Sequence, residues 1–160
     1  MGRRLLADPE LPAKLEAGRR DEVRPCIYQY RCIGNIFLNS HVACVARPET
    51  AREEDLEVGP TETPERILVV GGGPAGLDAA WRLAARGHEV VLREAGTHLG
   101  GRLAIAARGD EHLDRMLGWL LGQVARHEVE LHLGRPVTAA DAVGFDRVVL
   151  ATGGGWGRPA

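Results

Sequence analysis

Short apolar runs and one apolar helix pattern alternate through the second half of the chain. Residues 67–70 and 90–92 are wholly apolar, as is typical of strands buried on both faces of a parallel sheet. Between them, apolar residues recur at helical spacing over residues 75–86, and Gly87 follows as a stop signal. The pattern predicts a strand, a helix and a second strand in a βαβ unit.

Three further segments continue this alternation. Residues 111–126 carry apolar side chains at helical spacing, which predicts an amphipathic helix. Residues 129–133 alternate apolar and polar side chains, which predicts a strand near the edge of the sheet, and residues 148–150 form a last apolar run. From residue 65 onward, the chain is predicted to fold as an α/β domain with a parallel sheet.

The first 64 residues lack this periodicity. Residues 1–50 are predicted to be irregular, and they hold all three cysteines. Residues 51–64 are acidic and contain two prolines, which is typical of an exposed linker.

Composition and charge exclude several classes of protein. The net charge of −2 over 160 residues gives no general attraction to nucleic acid or to an anionic membrane. No apolar run is long enough to cross a bilayer, and the first residues lack the apolar stretch of a signal peptide. The cytoplasm is therefore the expected compartment, and an odd number of cysteines argues against a disulfide framework.

A glycine-rich turn links the first buried strand to its helix. Gly71-x-Gly73-x-x-Gly76 in this context is typical of dinucleotide-binding folds. Gly71 permits the tight turn, Gly73 lets a pyrophosphate approach the backbone, and Gly76 lets the helix pack against the strand. Pro74 suits the first helical turn, whose N–H groups would face the phosphates.

An acidic residue follows the second strand. Glu94 stands about 20 positions after the glycines, where a carboxylate accepts hydrogen bonds from ribose hydroxyls. Such a carboxylate disfavours a 2′-phosphate, although the neighbouring Arg93 weakens that preference. The alternative is a glycine turn without a ligand and a solvated Glu94. Farther on, Arg102 either balances pyrophosphate charge or lies in an ordinary loop.

Cys26, Cys32 and Cys44 form an incomplete ligand set. Tetrahedral zinc and [4Fe–4S] clusters normally use four protein ligands. One alternative is a metal or cluster site, with His41 as a possible fourth ligand; the other is three buried free cysteines that pack as small apolar side chains. The spacing of the other histidines indicates no acid–base pair, and these are expected to face solvent: His88, His98, His112, His127 and His132.

The whole chain resembles the C-terminal part of the large flavin and iron–sulfur members of the old yellow enzyme family, of the 2,4-dienoyl-CoA reductase, 2-enoate reductase and trimethylamine dehydrogenase type. The segments that carry the resemblance are Gly2-Arg3, Arg24-Pro25-Cys26, Cys32-Ile33-Gly34, Cys44-Val45-Ala46-Arg47-Pro48, residues 69–76, Glu94, Gly100-Gly101-Arg102-Leu103 and Ala151-Thr152-Gly153-Gly154.

The resemblance implies a domain order and a set of cofactor sites. Residues 1–25 would be the tail of an FMN-binding TIM barrel, 26–50 an iron–sulfur segment, 51–64 a linker and 65–160 an incomplete Rossmann-like FAD/NAD(P)-binding domain. Arg3 would bind the FMN phosphate, and the three cysteines would bind the cluster. The implied FAD or ADP site comprises Gly71, Gly73, Pro74, Ala75, Gly76, Glu94, Gly101, Arg102, Leu103, Val137, Ala151, Thr152 and Gly153.

Two departures from the family pattern stand out. The family has a cysteine about three residues after the first one, where this chain has Gln29. Three thiolates would then hold a [3Fe–4S] cluster, a four-iron cluster with an unusual fourth ligand, or nothing. The chain is also short, so we expect a fragment, with most of the barrel before Met1 and the NAD(P)H-binding segment after Ala160.

The family's chemistry defines three hypotheses. In the family, a hydride passes from NAD(P)H to FAD, and electrons pass singly through the cluster to FMN, which reduces an activated C=C bond. The chain is expected to be the FAD-binding part of such an oxidoreductase. The alternatives are an ADP- or FAD-binding module that docks on a separate barrel chain or self-associates, and a truncated remnant without activity.

Overall fold

A computed structural model of the chain describes residues 2–56 and 59–154. It divides into two compact units, Met1–Gly59 with Ala106–Gln123 and Pro60–Ile105 with Val124–Ala160. The predicted domain that starts at residue 65 differs from this division, because residues 106–123 group with the first unit. The helical pattern of this segment does not indicate which unit its apolar face contacts.

The first unit contains short helices where the sequence predicted irregular structure. Helices α1 (Gly2–Ala7), α2 (Leu11–Glu16) and α3 (Arg31–Phe37) are separated by loops and a 3-10 turn. The prediction was wrong because each helix is only six or seven residues long, too short for an apolar stripe to repeat.

Buried polar contacts tie these short helices together. The carboxylate of Asp8, which is 3% exposed, accepts hydrogen bonds from the ammonium of Lys14 at 2.9 Å and from the backbone N–H of Arg24 at 2.8 Å. The buried hydroxyl of Thr50 donates to the carbonyl of Leu6 at 2.9 Å. A buried carboxylate is stable only with such partners, so Asp8 fixes the connection from α1 through α2 to the loop at Arg24.

The second unit confirms the α/β prediction. It consists of strand β1 (Arg66–Val70), helix α4 (Pro74–Ala85), strand β2 (Glu89–Glu94), most of helix α5 (Gly101–Ala106), the end of helix α6 (Glu111–Arg126), and strands β3 (Glu130–Leu133) and β4 (Arg147–Leu150). All strand pairs are parallel, in the order β3-β2-β1-β4, which is the order of the first half of a Rossmann fold.

The centre of this sheet is its most apolar part. Of the apolar runs predicted in β1 and β2, all residues except the half-buried Val70 are at most 5% exposed; they are Ile67, Leu68, Val69, Val90, Val91 and Leu92. The outer strand β3 lies at the edge of the sheet, as predicted, but it is exposed throughout, including its apolar residues Leu131 and Leu133. On the other outer strand, Leu150 is 76% exposed, although the sequence around it resembles the central strands.

The helix ends follow the predicted signals. Helix α4 ends before Gly87, which has a φ of +97° and donates its N–H to the carbonyl of Ala84 at 2.9 Å. Before helix α6, the carboxylate of Asp110 accepts a hydrogen bond from the N–H of His112 at 2.8 Å, which caps the helix. Among the described residues, no helix is both long enough and apolar enough to cross a membrane.

Candidate functional site

The glycine turn brings three chain segments to one point. Gly71 has a φ of +110°, which favours glycine, and its N–H donates to the carbonyl of Arg93 at 2.8 Å. A Cβ on Gly71 would lie 2.7 Å from the carbonyl carbon of Ala151. The turn after β1 therefore touches the ends of both β2 and β4, and only glycine fits there.

Gly76 allows the helix to approach this turn. A Cβ on Gly76 would overlap the carbonyl oxygen of Gly71 and would lie 3.4 Å from the Cβ of Ala151. Helix α4 thus packs against the turn and the end of β4 without an intervening side chain. Gly76 itself is buried, and the close approach agrees with the role that the motif predicts for it.

Gly73 leaves open space at the start of helix α4. It is the N-cap residue, with a φ of −74°, and a Cβ built on it meets no atom within 4 Å. Pro74 has no N–H, and the N–H groups of Ala75 and Gly76 are in the first turn, where no helical carbonyl is available to accept them. This arrangement suits an anionic ligand, since free N–H groups and the helix dipole both favour negative charge.

Glu94 holds the turn in place from the end of β2. One carboxylate oxygen, Oε2, accepts a hydrogen bond from the N–H of Gly72 at 2.6 Å, and the other, Oε1, accepts one from the N–H of Gly96 at 2.7 Å. The sequence predicted a ribose ligand at this position and did not predict these contacts. Because a carboxylate has about four acceptor sites, both oxygens retain capacity for a further donor.

The loop after β2 is attached to the same turn. The N–H of Gly100 donates to the carbonyl of Gly72 at 2.7 Å, and the N–H of Leu103 donates to Gly100 at 3.0 Å. Gly101 has a φ of +50°, and its Cβ would lie 3.2 Å from the Cα of Gly73. The predicted segment 100–103 therefore adjoins the open space above Gly73.

Arg102 contacts the chain after β4. Its guanidinium donates a hydrogen bond to the carbonyl of Gly154. Ala151 continues the β4 pairing through its N–H, which donates to Val70 at 2.8 Å, and the N–H of Thr152 lies next to Gly71. Gly153 follows with a φ of +73°. The predicted segments 100–103 and 151–154 thus meet beside the glycine turn.

Arg93 is occupied by an ion pair. Its guanidinium donates to the carboxylate of Asp141 at 2.6 Å. Hydrogen bonds from the hydroxyl and the N–H of Thr138, with smaller contributions from the hydrogen bond of Arg93 and the charge of Arg135, lower the pKa of Asp141 from 3.8 to about 2. The loop from β3 to β4 is thereby fastened to β2. Val137, which was predicted to contact the cofactor, is half-buried in this loop.

The three cysteines line one cavity in the first unit. Cys26, Cys32 and Cys44 are half-buried and free, and Gln29 lines the same cavity. His41, considered above as a fourth ligand, is exposed and does not line it. Within residues 2–56 and 59–154, no three His, Cys, Asp or Glu side chains are close enough together to hold a single metal ion.

Arg3 lies beside this cavity. Its guanidinium is 4.8 Å from the ring centre of Tyr28 and 4.6 Å from that of Tyr30. A hydrogen bond with Tyr30 raises the pKa of Arg3. Its Nη1 atom is buried without a hydrogen-bond partner among the described residues, so this cation has a donor to offer.

Several histidines are less exposed than the sequence predicted. His112 stacks on Tyr28 with 4.4 Å between the ring centres, and His127 stacks on Trp81 at 5.9 Å. Burial lowers the pKa of His127. His88 accepts a hydrogen bond from the N–H of Glu65 at 3.2 Å. Of the five histidines predicted to face solvent, His98 and His132 are exposed.

Comparison with known proteins identifies relatives of the whole described region. The family described as an NAD(P)-binding Rossmann-like domain matches residues 69–129. An NADH oxidase of Thermoanaerobacter brockii is 40% identical over 96% of this chain and 25% of its own length. A multifunctional alkene reductase/demethylase OYE of Caballeronia cordobensis is 36% identical over 96% of this chain and 23% of its own length.

A solved structure shows the same fold. A 2-naphthoyl-CoA reductase complex superposes with a TM-score of 0.93 at 28% identity and covers 98% of this chain and 25% of the reductase chain. The chain therefore spans about a quarter of the length of the relatives that it matches.

The two glycines at the start of α4 give a matched pair of predictions. Gly76→Ala should lower the free energy of unfolding by about 1–3 kcal/mol because its methyl group overlaps the turn. Gly73→Ala should change it by less than about 0.5 kcal/mol, since its methyl group meets no atom. Denaturant unfolding of both variants checks this, and equal losses would contradict the packing described here.

Asp141 predicts a pH dependence of stability. Because folding lowers its pKa from 3.8 to about 2, its contribution is complete above about pH 4 and is lost as the pH falls toward 2. The difference in unfolding free energy between the wild type and Asp141→Asn should therefore be constant from pH 5 to pH 7 and shrink between about pH 4 and pH 2. Unfolding curves at several pH values measure it, with the exposed Asp114→Asn as control; a pH-independent difference would refute the assignment.

Proposed function

We propose that this chain, which belongs to the old yellow enzyme family of flavin-dependent oxidoreductases, holds the ADP half of FAD at its glycine turn. The chain is proposed to act as the FAD-binding part of an NAD(P)H-dependent flavin and iron–sulfur oxidoreductase of the enoate reductase or dienoyl-CoA reductase type.

The observation that carries the proposal is the open space above Gly73. The turn bears no side chain that would fill it, and the N–H groups of Ala75 and Gly76 are free of helical partners. A pyrophosphate there would accept hydrogen bonds from backbone that is already ordered. The ADP group therefore fits the residues present, and Glu94 lies one strand away, where the ribose of an ADP would be expected.

The protein residues would act by binding and orientation. Bound FAD would supply hydride acceptance and one-electron transfer. Helix α4 would direct the positive end of its dipole toward the phosphates. The carboxylate of Glu94 would accept hydrogen bonds from the ribose hydroxyls while it also accepts the N–H of Gly72. Arg102 follows Gly101, which adjoins the turn at Gly73, and its guanidinium is proposed to face the phosphates. In this structure the guanidinium donates to the carbonyl of Gly154.

Cofactor selectivity follows from the charges at the end of β2. A 2′-phosphate would lie near the carboxylate of Glu94 and be repelled by it, and Arg93 is already paired with Asp141. The pairing removes the cation that otherwise favours a 2′-phosphate. The glycine turn is therefore proposed to select FAD or ADP over a 2′-phosphorylated nucleotide.

The first unit is proposed to contain the residues that bind the iron–sulfur cluster and the phosphate of FMN. The three thiols around one cavity suit a cluster, and the buried Nη1 of Arg3 is a donor for the FMN phosphate. The cysteines are free, as the reducing environment of the cytoplasm would keep them.

A second candidate is an ADP- or FAD-binding module without its own activity. Leu150 is 76% exposed and Val148 is 42% exposed on the outer strand β4, and exposed apolar side chains on an edge strand favour further protein beside it. In this alternative, a separate barrel chain or a second copy supplies that protein, and the catalytic cofactor is bound there.

Spectroscopy separates the two candidates. The chain, purified without oxygen and loaded with FAD, is expected to show flavin absorbance that ADP displaces, and Gly73→Ala should lose most of the FAD while keeping its fold. Absorbance bleached by NADH supports the oxidoreductase, whereas bound FAD that NADH leaves unchanged supports the module. Failure of the folded chain to bind either FAD or ADP would reject both.

Glu94 gives a sharper test of the ribose contact. Glu94→Gln should weaken ADP binding by about 1–3 kcal/mol. The wild type should also bind 2′,3′-dideoxy-ADP more weakly than ADP, whereas Glu94→Gln should no longer distinguish the two. Titration calorimetry measures both affinities. Equal weakening for both ligands would mean that Glu94 acts only through the N–H groups of Gly72 and Gly96.

A further inference from the structure

We propose that the cavity lined by Cys26, Cys32 and Cys44 assembles a three-iron [3Fe–4S] cluster, with its fourth corner at Gln29. This inference rests on the iron–sulfur part of the proposed function and specifies which cluster the residues of this chain can hold. It concerns only the first unit, to which all four residues belong.

The number of available donors sets the cluster type. A [4Fe–4S] cluster takes one thiolate on each of its irons, and the described residues around the cavity include three cysteines. The remaining lining residues include no further Cys, His, Asp or Glu; they are Arg3, Ile27, Tyr28, Gln29, Tyr30, Arg31 and Val45. A fourth iron would have no anionic protein ligand unless Tyr28 or Tyr30 supplied one.

The two tyrosines are engaged by Arg3, which lines the same cavity. Both rings stack on the guanidinium of Arg3, at 4.8 Å for Tyr28 and 4.6 Å for Tyr30. Tyr30 also interacts with Arg3 by a hydrogen bond. Binding of iron at either phenol oxygen would compete with these contacts, so neither is a ready ligand for iron.

Gln29 leaves the fourth corner open to water. Its side chain is exposed and neutral, and an amide is a far weaker ligand for iron in a sulfide cluster than a thiolate. Tyr28 and Tyr30 on either side have left-handed backbone, with φ values of 55° and 57°, which fix the path of this loop. An iron at that corner would therefore be bound by sulfide and water alone and would be lost readily.

The three thiols line the same cavity. The described residues contain no three donors close enough to hold one metal ion. A cluster does not require three donors around one ion, because each thiolate binds a different iron.

Assembly balances without any further component of the protein. Each thiol loses one proton when its sulfur binds iron. Three ferric ions and four sulfides form the core with one net positive charge, so this step needs no change of oxidation state. No bond to Gln29 is required.

The test compares the wild type with Gln29→Cys in the full chain. Both are loaded with ferric and ferrous iron and with sulfide, without oxygen and without an added oxidant, and analysed for iron, sulfide and EPR. The wild type should contain three irons per cluster and show the sharp signal of an oxidised three-iron cluster. Gln29→Cys should contain four irons and become EPR-active only after reduction.

Two further variants keep the outcome clear. Gln29→Ala should match the wild type, because the amide supplies no bond, and Cys32→Ser should lose the cluster. A four-iron, EPR-silent wild type, or a wild type that binds no cluster while Gln29→Cys does, would overturn the proposal. FAD content measured in the same samples is independent of these results, so loss of flavin with a three-iron signal would count only against the FAD site.

Discussion

The contact of Gly76 with Gly71 is the constraint on which the proposed nucleotide site depends. The start of helix α4, the turn after β1 and the end of β4 meet at this point, and any Cβ on Gly76 would overlap the carbonyl oxygen of Gly71. If the helix stood back by the width of a methyl group, its first N–H groups would move away from the open space above Gly73. The same position of α4 thus accounts both for the close packing at Gly76 and for the open space above Gly73.

Glu94 connects the glycine turn to the end of strand β2. Its two oxygens receive the N–H groups of Gly72 and Gly96, at 2.6 and 2.7 Å, so the carboxylate is held in one position before any ligand arrives. A side chain that is already ordered loses little conformational entropy on binding. The N–H of Gly100 on the carbonyl of Gly72 closes the other side of the turn. The turn is thus fixed by its own polar contacts, which is the condition under which backbone N–H groups bind an anion most strongly.

The sequence predicted the strands and helices around this turn because their signals are local. The apolar runs of β1 and β2, the stop at Gly87 and the helical spacing of α6 depend on neighbours within one element. It did not predict the pairing of Arg93 with Asp141, since these residues are 48 positions apart and meet only when the sheet forms. The short helices α1 to α3 were missed for a related reason: they are fixed by Asp8, Lys14 and Arg24, and not by an apolar stripe. Glu94 was recognised by position, but its bonds to Gly72 and Gly96 require the folded turn.

The two proposed cofactor sites rest on separate sets of contacts. The glycine turn, Glu94, the loop at Gly100 and the end of β4 all belong to the second unit, and the cysteines, Gln29 and Arg3 belong to the first. Among the described residues, the hydrogen bonds that hold the turn are made with Arg93, Glu94 and Gly100. A change of donor at Gln29 is therefore expected to alter the proposed cluster site and to leave these contacts of the turn unchanged. The two proposed cofactor sites thus depend on different residues, and a sequence that departs from its relatives at one of them can keep the contacts of the other intact.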